Sequence, residues 1–304
     1  MQMPKRRAVI AGVSGLGLIP MAGCLGDEGD PVGSVEQTED SAEVDEQQNV
    51  DSEGGDQQTQ EGPTFAIAEW DMPEEVQINE EFSWRVFIEN RGDEKGEFSA
   101  PLYLKLPGSD WEEIGEVDLG EISPGEQEVY GSDSAKLAYI DRYEFAVGDL
   151  RETAVLQTIS ARISWGSRYT TPAGYEIRVH SPRLADSYSY LDYSGVPNEK
   201  FPENGGQWLF VDVFVKNNTG QARLSPSTRD FVLLFGNQQS DPEGFILDDP
   251  IDYGPQFDGG ELQPGVEREG WILFEVPQGI SVDDIRIAWS DTTIEGELSV
   301  GWEN

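Results

Sequence analysis

Residues 86–92 read Val-Phe-Ile-Glu-Asn-Arg-Gly, and residues 213–220 read Val-Phe-Val-Lys-Asn-Asn-Thr-Gly. Both stretches end an apolar run with Asn and Gly, a pattern typical of a half-buried β-strand that enters a turn. Downstream, Glu-Ile-Ser-Pro-Gly at 121–125 is matched by Glu-Leu-Gln-Pro-Gly at 261–265. The two matched pairs predict that one architecture occurs twice in this chain.

The pattern extends outward from residue 86 through a first unit, residues 64–160. Short alternating runs separated by turns about every 8 to 12 residues are typical of a β-sandwich. The positions assigned to strands are Phe82, Trp84, Val86 and Ile88; Phe98, Ala100, Leu102, Leu104 and Leu106; Ile114, Val117, Leu119 and Ile122; Tyr143, Phe145 and Val147; and Thr153, Val155, Gln157 and Ile159.

The second unit, residues 161–304, repeats this plan with a longer insertion at 181–207. Residues 231–235 and 271–276 are nearly continuous apolar runs, short enough to predict buried strands rather than helices. The predicted fold class is therefore all-β, with two tandem immunoglobulin-like β-sandwiches after a signal peptide and a disordered acidic stalk.

The N-terminus predicts export. Lys5, Arg6 and Arg7 precede an apolar segment at 8–20, which is shorter than the roughly 20 residues that span a bilayer. Residues 1–23 therefore read as a signal peptide. Cys24 is the only cysteine, which excludes intramolecular disulfides and thiolate metal clusters.

Residues 24–63 are predicted to be a lipidated cysteine and a disordered acidic linker. Residues 25–62 contain thirteen Asp or Glu and no Lys, Arg or aromatic residue. Such a segment buries too little apolar surface to offset the entropy of ordering. The expected role is a spacer between the membrane and the folded part.

The net charge is −39, and removal of the predicted signal peptide takes away three more positive residues. Self-repulsion of this size is tolerable where salt is molar and the Debye length falls to about 3 Å, which points to a halophile. Nucleic acid is an unexpected partner because its phosphates would be repelled.

The N-terminal features resemble those of haloarchaeal twin-arginine lipoproteins. The pair Arg6 and Arg7 ahead of a weakly hydrophobic segment resembles a twin-arginine export signal, and the small residues before Cys24 resemble a lipobox. This resemblance implies lipid on Cys24 and a location on the extracellular face of the cytoplasmic membrane.

Each folded unit also resembles a known family. The 86–92 stretch, a Gly-Glu-Phe strand and the Leu-Gly-Glu-Ile-Ser-Pro-Gly-Glu segment are similar to the immunoglobulin-like CARDB group of cell-adhesion-related domains, over residues 64–160. The second unit resembles domain of unknown function 4352 in residues 208–217, 231–236 and 262–277. These resemblances imply a fold and a location but transfer no catalytic residues.

Few residues suggest chemistry. His180 is the only histidine, and without a Gly-x-Ser-x-Gly elbow in the mature chain it is expected to be structural. A hard-cation site is a hypothesis for Asp248, Asp249 and Asp252, with Asp258 nearby, because calcium prefers clustered oxygens. No cofactor is expected.

The 181–207 insertion carries Tyr188, Tyr190 and Tyr193. One interpretation is a binding loop for a glycan or a protein, since tyrosines supply contact area at small entropic cost. The other is an extra hairpin whose tyrosines cover the sandwich edge. Asn217 fits the N-glycosylation pattern, a short motif with many false positives.

The function expected from these features is a non-enzymatic interaction or adhesion-type module at the cell surface, with the membrane and an envelope protein or glycan as partners. The alternative is a ligand-binding or accessory subunit for a transporter or a secreted enzyme. An enzyme would need a perturbed titratable group in a pocket, and the sequence offers no such constellation.

Substitution of Cys24→Ser tests the anchor. We expect the variant to leave the membrane fraction, because the acceptor for lipid is lost. Fractionation of cells followed by detection of the protein measures this directly. Unchanged retention of the variant in membranes would contradict lipid anchoring at Cys24.

Overall fold

The computed structural model describes residues 10–11, 62–192, 194–203, 205–244, 250–251 and 253–304. The protein is all-β, as predicted, with two immunoglobulin-like sandwiches. The first nine strands are β1 (Ile10–Ala11), β2 (Phe65–Asp71), β3 (Glu75–Gln77), β4 (Phe82–Asn90), β5 (Gly96–Lys105), β6 (Glu112–Ile122), β7 (Gln127–Leu137), β8 (Arg142–Val147) and β9 (Ala154–Ile159).

The remaining strands build the second sandwich and its additions. They are β10 (Ala161–Ser164), β11 (Arg168–Thr170), β12 (Tyr175–Ala185), β13 (Tyr188–Leu191), β14 (Pro197–Lys200), β15 (Gln207–Asn217), β16 (Arg223–Ser225), β17 (Phe231–Phe235), β18 (Gln238–Ser240), β19 (Gly260–Leu262), β20 (Glu267–Val276), β21 (Ile285–Thr292) and β22 (Glu297–Glu303). Two short 3-10 segments, Thr228–Asp230 and Val282–Asp284, precede β17 and β21.

The two sandwiches share the strand order of their five-stranded sheets and of three strands in their other sheets, where β1 and β11 lie at opposite edges. In the first, the sheets are β1-β7-β4-β2 and β3-β9-β8-β5-β6; in the second, they are β11-β12-β15-β20 and β10-β22-β21-β17-β18. The short strands β3 and β10 each pair in parallel with the last strand of their own unit, and the other ladders are antiparallel. The internal repeat predicted from the sequence is therefore confirmed at the level of topology.

A buried asparagine closes the end of each central strand. The Asn90 amide nitrogen donates to the carbonyls of Glu94 and Ile122 at 2.8 and 2.9 Å, and its oxygen accepts from the backbone N–H of Gly92. Asn217 repeats this arrangement with the carbonyls of Gln221 and Leu262 and the N–H of Thr219. Both asparagines are completely buried.

The Pro-Gly turns pack against these asparagines. The N–H of Gly125 donates to the carbonyl of Asn90, and that of Gly265 donates to the carbonyl of Asn217, both at 2.8 Å. The two glycines have φ of 73° and 74°, the positive value that a type II turn with proline before it requires. The paired sequence stretches that match along the chain are therefore in contact in space.

Alternation predicted the core of the first sandwich. The side chains of Phe82, Trp84, Val86 and Ile88 are all buried. Strand β9 was predicted correctly, but the positions assigned to it were Thr153, Val155, Gln157 and Ile159. Its buried residues are the alternate ones, Ala154, Leu156 and Thr158. Val155 is exposed because β9 lies between β3 and β8, and that pairing sets which face meets the core.

The apolar runs of the second sandwich have two different explanations. Residues 271–274 of β20 and 208–211 of β15 are buried on both faces, as expected for strands covered by two layers. Strand β17 instead alternates, with Phe231 and Leu233 buried and the residues between them half-buried.

The junction between the sandwiches is packed and hydrogen-bonded. Tyr139 belongs to the first unit but lies in the core cluster of the second. Its hydroxyl donates to Glu295, and its carbonyl accepts from the hydroxyls of Tyr143 and Thr158 at 2.9 and 2.7 Å. Burial, and then the Glu295 carboxylate, raise the pKa of Tyr139 to about 12, so the phenol stays protonated. A Cβ at Gly296 would lie only 2.7 Å from the Cβ of Tyr139, so this contact needs glycine.

Most of the N-terminal predictions lie outside the described residues. These are Arg6, Arg7, Cys24 and the linker; of the predicted signal peptide, the structure describes only Ile10–Ala11, which pairs antiparallel with Leu137 and Lys136. In the described part of the chain, no helix has the length and apolar content to cross a bilayer.

Substitution of Asn217→Ala tests the asparagine corner. The change removes the hydrogen-bond partner of the buried carbonyl of Leu262. It also removes the partner of the Gln221 carbonyl and of the Thr219 N–H. We therefore expect the free energy of unfolding to fall by about 2–3 kcal/mol. Urea denaturation in molar salt measures it. The neighbouring Asn218→Ala is the matched control, because Asn218 is exposed and should change stability by less than about 0.5 kcal/mol. Equal stability of the two variants would contradict the structural role.

Candidate functional site

The 181–207 insertion forms a hairpin, in agreement with the structural interpretation of its tyrosines. Strands β13 and β14 pair antiparallel, with Tyr188 opposite Lys200 and Leu191 opposite Pro197. The Tyr188 ring is buried, with its centroid 5.7 Å from those of Trp208 and Phe210 on β15. The hairpin thereby covers the outer face of the sheet β11-β12-β15-β20.

An aromatic cluster fills the space under the hairpin. It consists of Tyr188, Trp208, Phe210, Trp271 and Leu273, with Ala185, Tyr190 and Tyr253 at its margin. The Tyr253 ring stacks on Phe210 at 3.9 Å, and the Arg183 guanidinium lies 5.0 Å above Tyr253. The indole N–H groups of Trp208 and Trp271 donate to the carbonyls of Lys200 and Gly254. The cluster therefore has satisfied polar groups at both indoles and anchors the hairpin by packing.

The three predicted tyrosines do not form one exposed surface. Tyr188 is buried, Tyr190 is half-buried beside Pro250, and Tyr193 lies outside the described residues. A ligand could therefore reach the Tyr188 ring only if the hairpin moved away. Binding by these tyrosines stays a prediction, and the packing gives Tyr188 a structural role.

The tip of the hairpin is held by Asp192. One carboxylate oxygen accepts from the backbone N–H groups of Ser194 and Val196 at 2.8 and 2.9 Å, and the other accepts from the side chain of Asn198 at 3.1 Å. These hydrogen bonds, that from Val196 first, hold the pKa of Asp192 below its usual range. The charged carboxylate therefore fixes the conformation of the turn.

Four large apolar side chains around the hairpin are exposed to solvent. Leu191, Val196 and Phe201 are 51%, 53% and 59% exposed, and Ile251, whose N–H donates to the carbonyl of Ser189, is 47% exposed. The tyrosines of this insertion were the residues predicted from the sequence, and these four apolar residues were not predicted. Their signal was present, since Leu191 and Val196 flank a polar turn with no alternating pattern that would bury them.

Close to the hairpin's base, Glu243 and Lys200 lie near two further carboxylates. Burial, and then the charge of Glu275, raise the pKa of Glu243, while Lys200 lowers it. The N–H of Glu243 donates to the carbonyl of Leu273, which fixes this segment against β20. The sheet edge here is strongly acidic, and the single lysine partly offsets that charge.

His180 lies on the outer surface of the same sheet, with its side chain 19% exposed. Its Nε2 is 2.9 Å from the Glu269 carboxylate and its Nδ1 is 2.8 Å from the Ser181 hydroxyl. An ionised carboxylate can only accept, so Nε2 donates to Glu269, and in the neutral imidazole Nδ1 then accepts from Ser181. Arg178 lies 3.5 Å from the same carboxylate and stacks on Phe214.

A serine, a histidine and a carboxylate in contact are the residue types of a hydrolase triad. Ser181 even has a positive φ of 51° at the bulge of β12. In the serine-protease template, however, the serine contacts Nε2 and the carboxylate contacts Nδ1, the reverse of the contacts seen here. Two cavities of the described residues, one at the junction of the sandwiches and one that continues from it, are lined by neither Ser181 nor His180.

Two predicted sites remain, the hard-cation site and the glycosylation site at Asn217. Asp248, Asp249 and Asp252 lie outside the described residues, and the described residues contain no group of three or more His, Cys, Asp or Glu arranged to hold a metal ion. Asn217 is buried, with its amide nitrogen committed to two carbonyls. Glycosylation of that nitrogen stays a prediction that requires both hydrogen bonds to break.

The pH dependence of the hairpin tip tests the role of Asp192. Its folded pKa lies below the unfolded value of about 3.9, so the turn keeps its full stabilisation above that pH and loses it as the pH falls through the folded pKa. We expect the Ser194 and Val196 amide protons to exchange faster in Asp192→Ala at neutral pH. Amide exchange by NMR measures this. Glu199→Ala, which removes the same charge from β14, should leave both amides protected, and equal acceleration in the two variants would contradict the role of Asp192.

Comparisons with known proteins bear on the second sandwich. No curated protein matches the chain. An uncharacterized β-sandwich protein from Clostridium difficile 630 is similar at 11% identity and a TM-score of 0.29, over 47% of this chain and 94% of that chain. The family described as "Domain of unknown function (DUF4352)" matches residues 178–294, from within β12 to the end of β21, including the hairpin and the aromatic cluster. This chain therefore carries a DUF4352 domain at residues 178–294.

Proposed function

We propose that this protein is a membrane-anchored extracellular lipoprotein of a halophile, and that it acts as a non-enzymatic interaction module at the cell surface. The lipobox-like residues before Cys24 and the Arg6-Arg7 pair support export and anchoring, and the net charge of −39 supports a high-salt environment. The similarity of residues 64–160 to CARDB domains supports a module that contacts other envelope components.

The exposed apolar surface of the hairpin carries the proposal. Leu191, Val196 and Phe201 expose about half of their side chains or more on a segment that is fixed at its base and at its tip, and Ile251 is 47% exposed beside it. Exposed apolar groups that lie together on a protein surface mark sites of association, and strand pairing brings Leu191 and Val196 together at the tip of the hairpin. Because the hairpin is already ordered, it loses little conformational entropy when a partner binds.

Two fixed points keep the hairpin in place. At the base, Tyr188 packs between Trp208 and Phe210, and the Trp208 indole donates to the carbonyl of Lys200 at the end of β14. At the tip, Asp192 accepts three hydrogen bonds. The apolar side chains are thus presented by a rigid element and not by a loop that must order first.

The charges around the hairpin define the complementary surface. Asp186 and Glu199 are exposed on or beside the hairpin and Asp192 is half-buried at its tip, so the apolar tip has an acidic rim. A partner that fits it has an apolar centre with basic residues around it, since charge complementarity favours the correct partner and disfavours others. An envelope protein with such a surface is the expected ligand.

Affinity capture from membrane extracts at high salt tests the proposal. The whole chain serves as bait beside the double variant Leu191→Ser/Val196→Ser. We expect one envelope protein to be enriched by the wild type, and enrichment to fall by about tenfold in the variant, because the apolar contacts of two side chains are lost.

Leu224→Ser is the matched control, because Leu224 is 75% exposed but lies on β16, away from the hairpin. It should retain full enrichment. Equal capture by wild type and hairpin variant would contradict a binding role for the hairpin. A small solute that shifts the melting temperature, without any captured partner, would favour the accessory-subunit alternative.

A further inference from the structure

A groove crosses the junction between the sandwiches on a surface distinct from the hairpin. It consists of two cavities of about 590 and 300 Å³ that share Ala161 and Arg162. The larger lies between residues 77–80 of the first sandwich and residues 161–163 and 168–170 of the second. The smaller continues over the outer face of β10, β22 and β21, with Gly301 and Ala288 among its lining residues.

The groove is basic in an otherwise acidic protein. Among the residues that line the two cavities in the described structure, Lys136, Arg162, Arg168 and Arg286 are positive and Glu80 alone is negative. Gly301 makes room for Arg286, whose side chain would clash with a Cβ there. A chain with a net charge of −39 thus places four cations around one groove.

The four cations are already paired. Lys136 lies 3.0 Å from Glu81, Arg168 lies 3.0 Å from Glu176, and Arg162 and Arg286 lie 3.9 and 3.6 Å from Glu303. The Lys136–Glu81 pair is exposed on both sides and contributes about 0–1 kcal/mol, so a ligand carboxylate can replace Glu81 at little cost. Glu176 and Glu303 are only 15% and 33% exposed, so a ligand adds to their arginines and does not replace them. The groove therefore suits an anionic ligand.

Two strand edges border the groove. The main-chain edge of β7 near Lys136 already accepts an added antiparallel strand, since Ile10–Ala11 pairs with Leu137 and Lys136. Strand β10 is the outer strand of its sheet. The backbone N–H of its Arg162 donates to the side-chain oxygen of Gln77 at 2.6 Å and not to another strand. Main-chain groups at an edge select an extended peptide, which a saccharide does not imitate.

We propose that the junction groove binds an extended acidic peptide, which pairs with the edge of β7 in place of Ile10–Ala11 and directs carboxylates at Lys136, Arg162 and Arg168. Side chains of a strand alternate between its two faces, so only every second residue of the peptide faces the groove. The preferred ligand therefore has an acidic residue at every second position. This site is separate from the hairpin and does not depend on the function proposed above.

Fluorescence anisotropy with two labelled octapeptides tests the proposal on the whole chain. One peptide alternates Glu and Thr, and the other has the same composition with four Glu followed by four Thr. We expect the alternating peptide to bind at least several-fold more tightly. We also expect binding to weaken by about tenfold in Arg162→Gln/Arg168→Gln, since two charge contacts of up to about 1 kcal/mol each are lost.

Arg91→Gln is the matched control. Arg91 is an exposed arginine paired with Glu89 at the opposite end of the first sandwich, and its loss should leave peptide affinity unchanged. Lys136→Gln gives an independent variant if the double variant unfolds. Equal affinity for the two peptides, or equal loss in Arg91→Gln, would overturn the proposal. So would tighter binding of an oligogalacturonate, which carries carboxylates but no peptide main chain.

Discussion

The two buried asparagines are the constraint on which the rest of this structure depends. Asn90 and Asn217 each sit at the end of a central strand and satisfy main-chain groups that would otherwise be buried without partners. Loss of such a partner costs about 1–3 kcal/mol for each buried group. Each corner also brings its Pro-Gly turn against the strand end, which sets how the following strand returns to the sandwich. The same solution occurs twice because the chain contains the same architecture twice.

The second sandwich differs from the first in what covers its outer face. In the first, strand β4 buries one face and exposes the other. In the second, the hairpin and Tyr253 cover β15 and β20, so Phe210 and Trp271 are buried on the side that is exposed in the first unit. The insertion adds a third layer to the two sheets of the sandwich, and the exposed Leu191 and Val196 lie on this layer.

The hairpin and the junction groove are two surfaces that differ in charge and in polarity. The hairpin presents apolar groups within an acidic rim, whereas the junction groove gathers basic groups between two sheet edges. In molar salt, where screening limits electrostatic effects to about 3 Å, the net charge matters less than the residues in direct contact. The packed junction around Tyr139 fixes the relative position of the walls of the groove. Its carbonyl accepts from Thr158 within the first sandwich, and its phenol donates to Glu295 across the boundary.

The sequence by itself did not predict β2 or β7, but it determined many of the strands, the repeat and the chain positions of the turns. These follow from local chemistry: alternation sets which side chains of a strand share a face, and Pro-Gly sets the turn. Alternation also placed the core residues of β4, but it named the wrong face of β9, where apolar Val155 is exposed and Thr158 is buried. Tertiary structure alone decided that face, the burial of Tyr188, the contact of His180 with Glu269, and the meeting of Lys136 with Arg162 and Arg168. Each depends on which strands become neighbours, and such pairing joins residues that are distant in the chain and leave no local pattern.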